Sequence, residues 1–199
     1  MGRSPLSRPA VFLDRDGCLS VEVGYVNHIS RIRPIDGVPE QIARLNAAGI
    51  PAVMVTNQAG AARGYFPLEL IEQVNARLVE LIAEQGGRID GVYYCPHLPG
   101  AKDPRFDVEC NCRKPRPGMI EQAAKDMDLD PKRSFMVGDK YSDVQLAFNV
   151  GAKGILVLSG YGRGELELFG KDWPRQPDKI AETMKDAVDY VFETLGIDG

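Results

Sequence analysis

Three times in this chain a strand-length apolar run stops at a side chain able to do chemistry. Residues 10–13 end at Asp14, with Asp16 two positions on and Gly17 to turn the backbone. Residues 50–55 run into Thr56-Asn57-Gln58, and residues 134–137 run into Gly138-Asp139. Such runs are short and bounded by turn residues, so they read as buried strands. Residues 91–95 and 154–158 fit the same description. Between the runs lie helical patterns at 36–48, 67–84, 117–127 and 142–150, the longest with Leu70, Ile71, Val74, Leu78, Leu81 and Ile82 at helical spacing. Strands alternating with helices predict an α/β fold, a three-layer Rossmann-like parallel sheet with helices on both faces. In such a sheet ligands gather at the carboxyl ends of the strands. Asp14, Asp16, Thr56 and Asp139 are therefore expected on one rim, joined by Lys114 from just ahead of the helix that precedes the fourth strand.

Composition removes several other classes. The 199 residues are 44% hydrophobic and 26% charged, enough for one substantial core, and a single domain over 9–199 behind a loose tail at 1–8 is expected. With 24 basic and 28 acidic residues the net charge is -4, and no basic stripe is present to follow a nucleic acid backbone. No apolar run nears the roughly 20 residues of a membrane helix, and no apolar signal core follows the N-terminal arginines. The expectation is a cytoplasmic monomer that meets a small molecule, with neither nucleic acid nor membrane as partner.

Residues 96–117 have little apolar content and are too long for a simple connector, so something other than a core must order them. Cys95-Pro-His97 and Cys110-Asn-Cys112, twelve residues apart, bracket that stretch. Three thiols and an imidazole can close a tetrahedral Zn²⁺ site with no position left for water, which makes the expected zinc structural. The remaining cysteine, Cys18, reads as a small buried residue.

Acids, a hydroxyl and an ammonium on one rim suit a phosphate and Mg²⁺, which takes hard oxygen ligands. Thr56 and Lys114 can hold phosphoryl oxygens whose charge must be neutralised before an anionic nucleophile approaches. An aspartate that attacks phosphorus divides one hard hydrolysis into two easier steps. A second acid two residues on lies on the same side of an extended chain and can serve as acid, then base.

Asp14-Arg15-Asp16-Gly17, Thr56-Asn57-Gln58, Arg113-Lys114-Pro115 and Gly138-Asp139-Lys140, in this order, resemble the four motifs of the haloacid dehalogenase superfamily of phosphatases. The resemblance covers roughly residues 10–160. It implies Asp14 as nucleophile and Asp16 as general acid/base. Asp14, Asp139 and the backbone carbonyl of Asp16 are implied as Mg²⁺ ligands, with Lys140 beside them; Thr56, Asn57, Gln58 and Lys114 are implied on the phosphate side. Neither usual cap position carries a large insertion, so the site should be open and suited to a small phosphorylated metabolite.

The zinc loop followed at once by Arg113-Lys114 is similar to the histidinol-phosphatase-like subfamily. This implies a sugar phosphate substrate, foremost the 7-phosphate of a heptose bisphosphate, with histidinol phosphate as the alternative. Gly24-Tyr25, in a flap expected over 18–35, keeps the pattern of the substrate-touching segment, whereas Glu22-Val23 replaces its usual acid and histidine. Arg113 is expected on a second phosphate or on sugar hydroxyls, and Arg63 fits either that role or a surface ion pair. Two other classes fit part of the chain. A phosphate-accepting signalling receiver lacks the acid at Asp16, and a zinc-stabilised binding module leaves the strand-end groups unexplained. The C-terminal stretch stays open: Ile180, Met184, Val188, Val191 and Leu195 fit a helix, while 188–192 also fit a sixth strand.

Overall fold

The computed structural model describes residues 7–197. Six strands form the sheet: β1 Val11–Leu13, β2 Ala52–Asn57, β3 Gly91–Cys95, β4 Phe135–Gly138, β5 Lys153–Val157 and β6 Lys179–Ala181. Their order is β3-β2-β1-β4-β5-β6, and every pairing is parallel. The helices are α1 Val38–Ala47, α2 Glu69–Ala83, α3 Gly118–Met127, α4 Tyr141–Val150, α5 Gly162–Phe169 and α6 Met184–Leu195.

The strands lack hydrophobic alternation because both faces are covered. Val11, Leu13, Met54 and Val137 pack toward Ile42 and Leu45 of α1, Val74 and Leu78 of α2, and Val188 and Val191 of α6. The intervening side chains Phe12, Val53, Val55 and Met136 pack on the other face with Met119 and Ile120 of α3 and Leu146 and Ala147 of α4. Side chains alternate across a strand, so continuous apolar runs feed two cores at once.

Between β1 and α1 the flap is tied by antiparallel bonds, Val21 N to Arg33 O at 3.1 Å and Ile35 N to Leu19 O at 3.1 Å, with a 3-10 turn at Ile29–Arg31. It is a loop, as expected, and residues 96–117 hold neither helix nor strand. Of the expected loose tail, residues 1–6 lie outside the described residues. Ser7 Oγ donates to Asp128 Oδ1 at 3.1 Å, and Arg8 forms a bridge with Leu129.

The C-terminal alternatives resolve into one of each. Ile180 lies in β6, paired with Leu156 of β5, and 188–192 are helical. A capping box decides the boundary: Thr183 Oγ1 accepts from Asp186 N, while Asp186 takes the Thr183 N–H, so the helix starts at Met184. Helix α5 is not expected from the sequence, because it opens on Gly162-Arg163-Gly164 and lacks an inward apolar stripe; Leu168 and Phe169 stay exposed. No helix is long and apolar enough to cross a membrane among the described residues.

Candidate active site

Asp14 follows β1 directly, and its backbone N–H donates to Val137 O of β4 at 2.9 Å, so the neighbouring strand fixes where the carboxylate begins. Thr56 is the last residue but one of β2 and is buried. Lys114 arrives from the long loop and is held by Asn57 from both sides: Lys114 N donates to Asn57 Oδ1 at 3.0 Å, and Asn57 Nδ2 donates to Lys114 O at 3.2 Å. The lysine ammonium lies 2.8 Å from Asp14 Oδ1 and 2.6 Å from Asp143 Oδ1, and donates to Val55 O at 3.2 Å. Burial works against the charge on Lys114, and the carboxylates of Asp14 and Asp143 overcome it, so its pKa is raised.

Asp139 follows β4. Asp139 Oδ2 accepts from Tyr161 N at 2.8 Å, and its Oδ1 is buried without a hydrogen-bond partner. Burial, then the charge of Asp14, pushes the Asp139 carboxyl up to about 8. Asp143 is pushed up to about 6 by burial, with Lys114 opposing. Carboxylate oxygens of Asp14, Asp139 and Asp143 lie within 4.8 Å of one another. Three buried carboxyl groups share the one Lys114 ammonium, and every ligand atom they offer is an oxygen. The donor set fits a hard divalent cation. Two glycines make room beside it: a Cβ on Gly17 or on Gly160 would overlap Asp139 Oδ2, and both backbones have positive φ, 80° and 55°.

Asp16 sits between two donors. Arg15 reaches it with Nε at 3.1 Å and NH2 at 2.8 Å, and Gln58 Nε2 donates to Asp16 Oδ2 at 2.8 Å and to Thr56 Oγ1 at 3.0 Å. A cavity of about 400 Å³ opens above these groups. Gly24 and Tyr25 of the flap form one wall, and Tyr25 meets Tyr65 edge-on with ring centroids 4.7 Å apart. Arg63 and Arg113 line the mouth. Arg113 donates to His97 O at 3.1 Å, and neither arginine has an acidic partner among the described residues. Lys140 Nζ lies 4.3 Å from the centroid of the Tyr161 ring; an ammonium has no lone pair, so it brings charge to the site and only its backbone could reach a metal.

The second cluster lies at the zinc loop. Cys95 Sγ is 3.0 Å from Cys112 Sγ, 3.5 Å from Cys110 Sγ and 3.8 Å from His97 Nδ1, and His97 Nδ1 is 3.3 Å from Cys112 Sγ. All three cysteines are free thiols, so no disulfide accounts for the convergence. Burial pushes Cys95 up, while hydrogen bonds from Cys112 and Cys95 outweigh burial at Cys110 and bring it down to about 6.

Every residue expected on the rim is there. Three further residues contribute to the site without a distinct signal in the sequence. Asp143 caps α4 by accepting from Lys140 N at 3.1 Å and also pairs with Lys114. Tyr161 lies in the turn beyond β5, four residues after Val157, and donates its backbone N–H to Asp139; a backbone contact of this kind leaves no mark in the sequence. Arg15 lies within the first motif and is buried, and no sequence signal marks that burial.

A family model described as HAD-hydrolase-like matches residues 111–187. A D-glycero-D-manno-heptose-1,7-bisphosphate 7-phosphatase of Thermosynechococcus vestitus is 43% identical over 194 residues, which is 96% of this chain and 98% of that protein. The chain belongs to the haloacid dehalogenase-like phosphatases. Within that family, the solved structure of D,D-heptose 1,7-bisphosphate phosphatase from B. bronchiseptica, complexed with magnesium and phosphate, superposes with a TM-score of 0.80 at 29% identity, covering 94% of this chain and 98% of that one. A putative phosphatase of the same superfamily from Mesorhizobium loti gives a TM-score of 0.81 at 34% identity, covering 100% of this chain and 92% of that one. As a member of this family the chain is a phosphoric monoester hydrolase.

Proposed function

We propose that this phosphatase removes the 7-phosphate of D-glycero-D-manno-heptose 1,7-bisphosphate through an aspartyl-phosphate on Asp14. The observation that carries the reading is the convergence of Asp14, Asp16, Thr56 and Lys114 on one cavity. Thr56 and Lys114 bind the phosphoryl oxygens and orient phosphorus toward Asp14. As Asp14 bonds to phosphorus, the ester bond breaks and Asp16 gives its proton to the sugar oxygen. Asp16, now a carboxylate, takes a proton from water as that water attacks phosphorus, which frees Asp14 and releases phosphate. Asp14, Asp139 and the Asp16 carbonyl are assigned to Mg²⁺, supported by the unpartnered Asp139 Oδ1. When bound, the ion neutralises phosphoryl charge.

Arg63 and Arg113 favour a substrate with a second anionic group, since both guanidinia line the mouth without an acidic partner among the described residues. Cys95, His97, Cys110 and Cys112 are assigned to a structural Zn²⁺, supported by the mutual closeness of their four donor atoms. The ion would fix the loop from which Arg113 and Lys114 project.

A rate comparison in Mg²⁺ tests the reading. The kcat/KM for heptose 1,7-bisphosphate should exceed that for histidinol phosphate by about 100-fold or more, an effect the size of a lost charge-assisted contact or two. Preference for histidinol phosphate would overturn the substrate, and full activity of Asp14→Asn would overturn the nucleophile.

A further inference from the structure

Arg15 is the bulkiest of the fully buried side chains, with 2% of its surface exposed. Burying a guanidinium is costly unless each of its donors is matched. Four hydrogen bonds to three side chains offset the burial here, and the pattern is directional. Nε and NH2 face the two oxygens of Asp16 at 3.1 and 2.8 Å, NH2 also meets Gln58 Oε1 at 2.8 Å, and NH1 meets Asn75 Oδ1 of α2 at 2.8 Å. Both oxygens of the Asp16 carboxyl are therefore held by a rigid fork that is itself anchored to a helix. Turning the carboxyl away from that fork breaks two charge-assisted bonds together.

We propose that Arg15 is a positioning residue: it holds the Asp16 carboxyl in the orientation that delivers a proton to the departing sugar oxygen. The inference rests on the reading of Asp16 as general acid. In the first step the Asp14 oxygen bonds to phosphorus, the bond from phosphorus to the sugar oxygen breaks, and the electron pair left on that oxygen takes the proton from Asp16. The negative charge then appears on Asp16 beside the Arg15 guanidinium, which needs no rearrangement to meet it. A lysine at this position keeps a positive charge and loses the fork.

Leaving groups separate this role from mere support of the fold. Expulsion of a sugar alkoxide needs the proton, whereas expulsion of p-nitrophenolate does not. The kcat/KM reports only the steps through formation of the phosphoenzyme, so it isolates that half of the reaction. Arg15→Lys is expected to lose about 100-fold or more in kcat/KM on heptose 1,7-bisphosphate and less than about 5-fold on p-nitrophenyl phosphate, within the range that general acid catalysis contributes. Asp16→Asn, measured beside it, should show the same split. Asn75→Leu removes the outer anchor together with the unpartnered Asn75 Nδ2, and should show a smaller split in the same direction; it keeps the test open if Arg15→Lys does not fold.

Equal losses on both esters in Arg15→Lys and Asn75→Leu, with the split intact in Asp16→Asn, would overturn the positioning role. Absence of a split in Asp16→Asn would instead overturn the general-acid reading beneath it.

Discussion

Lys114 Nζ lies 2.8 Å from Asp14 Oδ1, so the nucleophile is already paired with a buried cation before any substrate arrives. The same ammonium is 2.6 Å from Asp143, and both Lys114 and Asp143 are buried. Removing the shared cation leaves two carboxylates facing each other without it. Lys114→Met is expected to abolish phosphate release and to destabilise the metal-free protein by about 3–5 kcal/mol. The midpoint of urea unfolding in a chelator checks the second part; an unchanged midpoint would show that the pair contributes nothing.

Asp139 predicts the opposite sign. Its Oδ1 is buried without a hydrogen-bond partner and its carboxyl is pushed up to about 8 by burial and by Asp14. A neutral amide relieves that repulsion, so Asp139→Asn should stabilise the metal-free protein by about 1–3 kcal/mol. The variant should gain less from added Mg²⁺ than the wild type, because a ligand stabilises only the state that binds it. Thermal melts with and without Mg²⁺ measure both effects; a variant that melts lower than wild type in the chelator would contradict the account.

Gly17 has a φ of 80°, and a methyl group there would overlap Asp139 Oδ2. Gly17→Ala should therefore cost about 1–2 kcal/mol from the backbone alone, with a larger fall in Mg²⁺ affinity as Asp139 is displaced. Gly164 has open space around a Cβ and no positive φ, so Gly164→Ala in α5 should be neutral or mildly stabilising. Titration of each variant with Mg²⁺, followed by activity, separates the two glycines.

Cys110→Ser should remove zinc, about one ion per chain, and loosen residues 96–117 while the sheet stays folded. The loop has little buried apolar surface beyond Phe106, so the ion supplies most of its order. Metal content and hydrogen exchange report the two halves; a wild-type protein without zinc and with a protected loop would refute the assignment.

Arg63→Ala should raise KM for heptose 1,7-bisphosphate by about 10-fold and leave a sugar monophosphate nearly unaffected, since Arg63 has no acidic partner to release among the described residues. Equal effects on both substrates would place Arg63 outside the recognition of a second phosphate.

Much of the site could be read from residue order because the fold makes it so. Parallel strands deliver their carboxyl ends to one edge; Asp14 and Asp139 directly follow strands, and Thr56 is the last residue but one of β2. Asp143 and Lys114 were harder, since pairing between a helix and a loop has no period in sequence. Arg15 was hardest: a lysine or arginine is seldom buried, and only the donors and acceptors brought by Gln58 and Asn75 make it affordable there. The same limit hid α5, whose side chains face outward and leave no stripe.

The nucleophile's strand is three residues long and lies between β2 and β4. Val11 pairs with Ala52 on one side and with Phe135 on the other. A ribosome that has released only the first 130 residues has made Asp14, Asp16, Thr56 and Lys114, but the segment that flanks β1 on its second side is still inside the tunnel. Asp139 and Asp143 come later still. Contacts this distant along the chain form late, so the growing polypeptide carries its attacking carboxylate and the phosphate-binding groups before it has Asp139, the acid assigned to the metal.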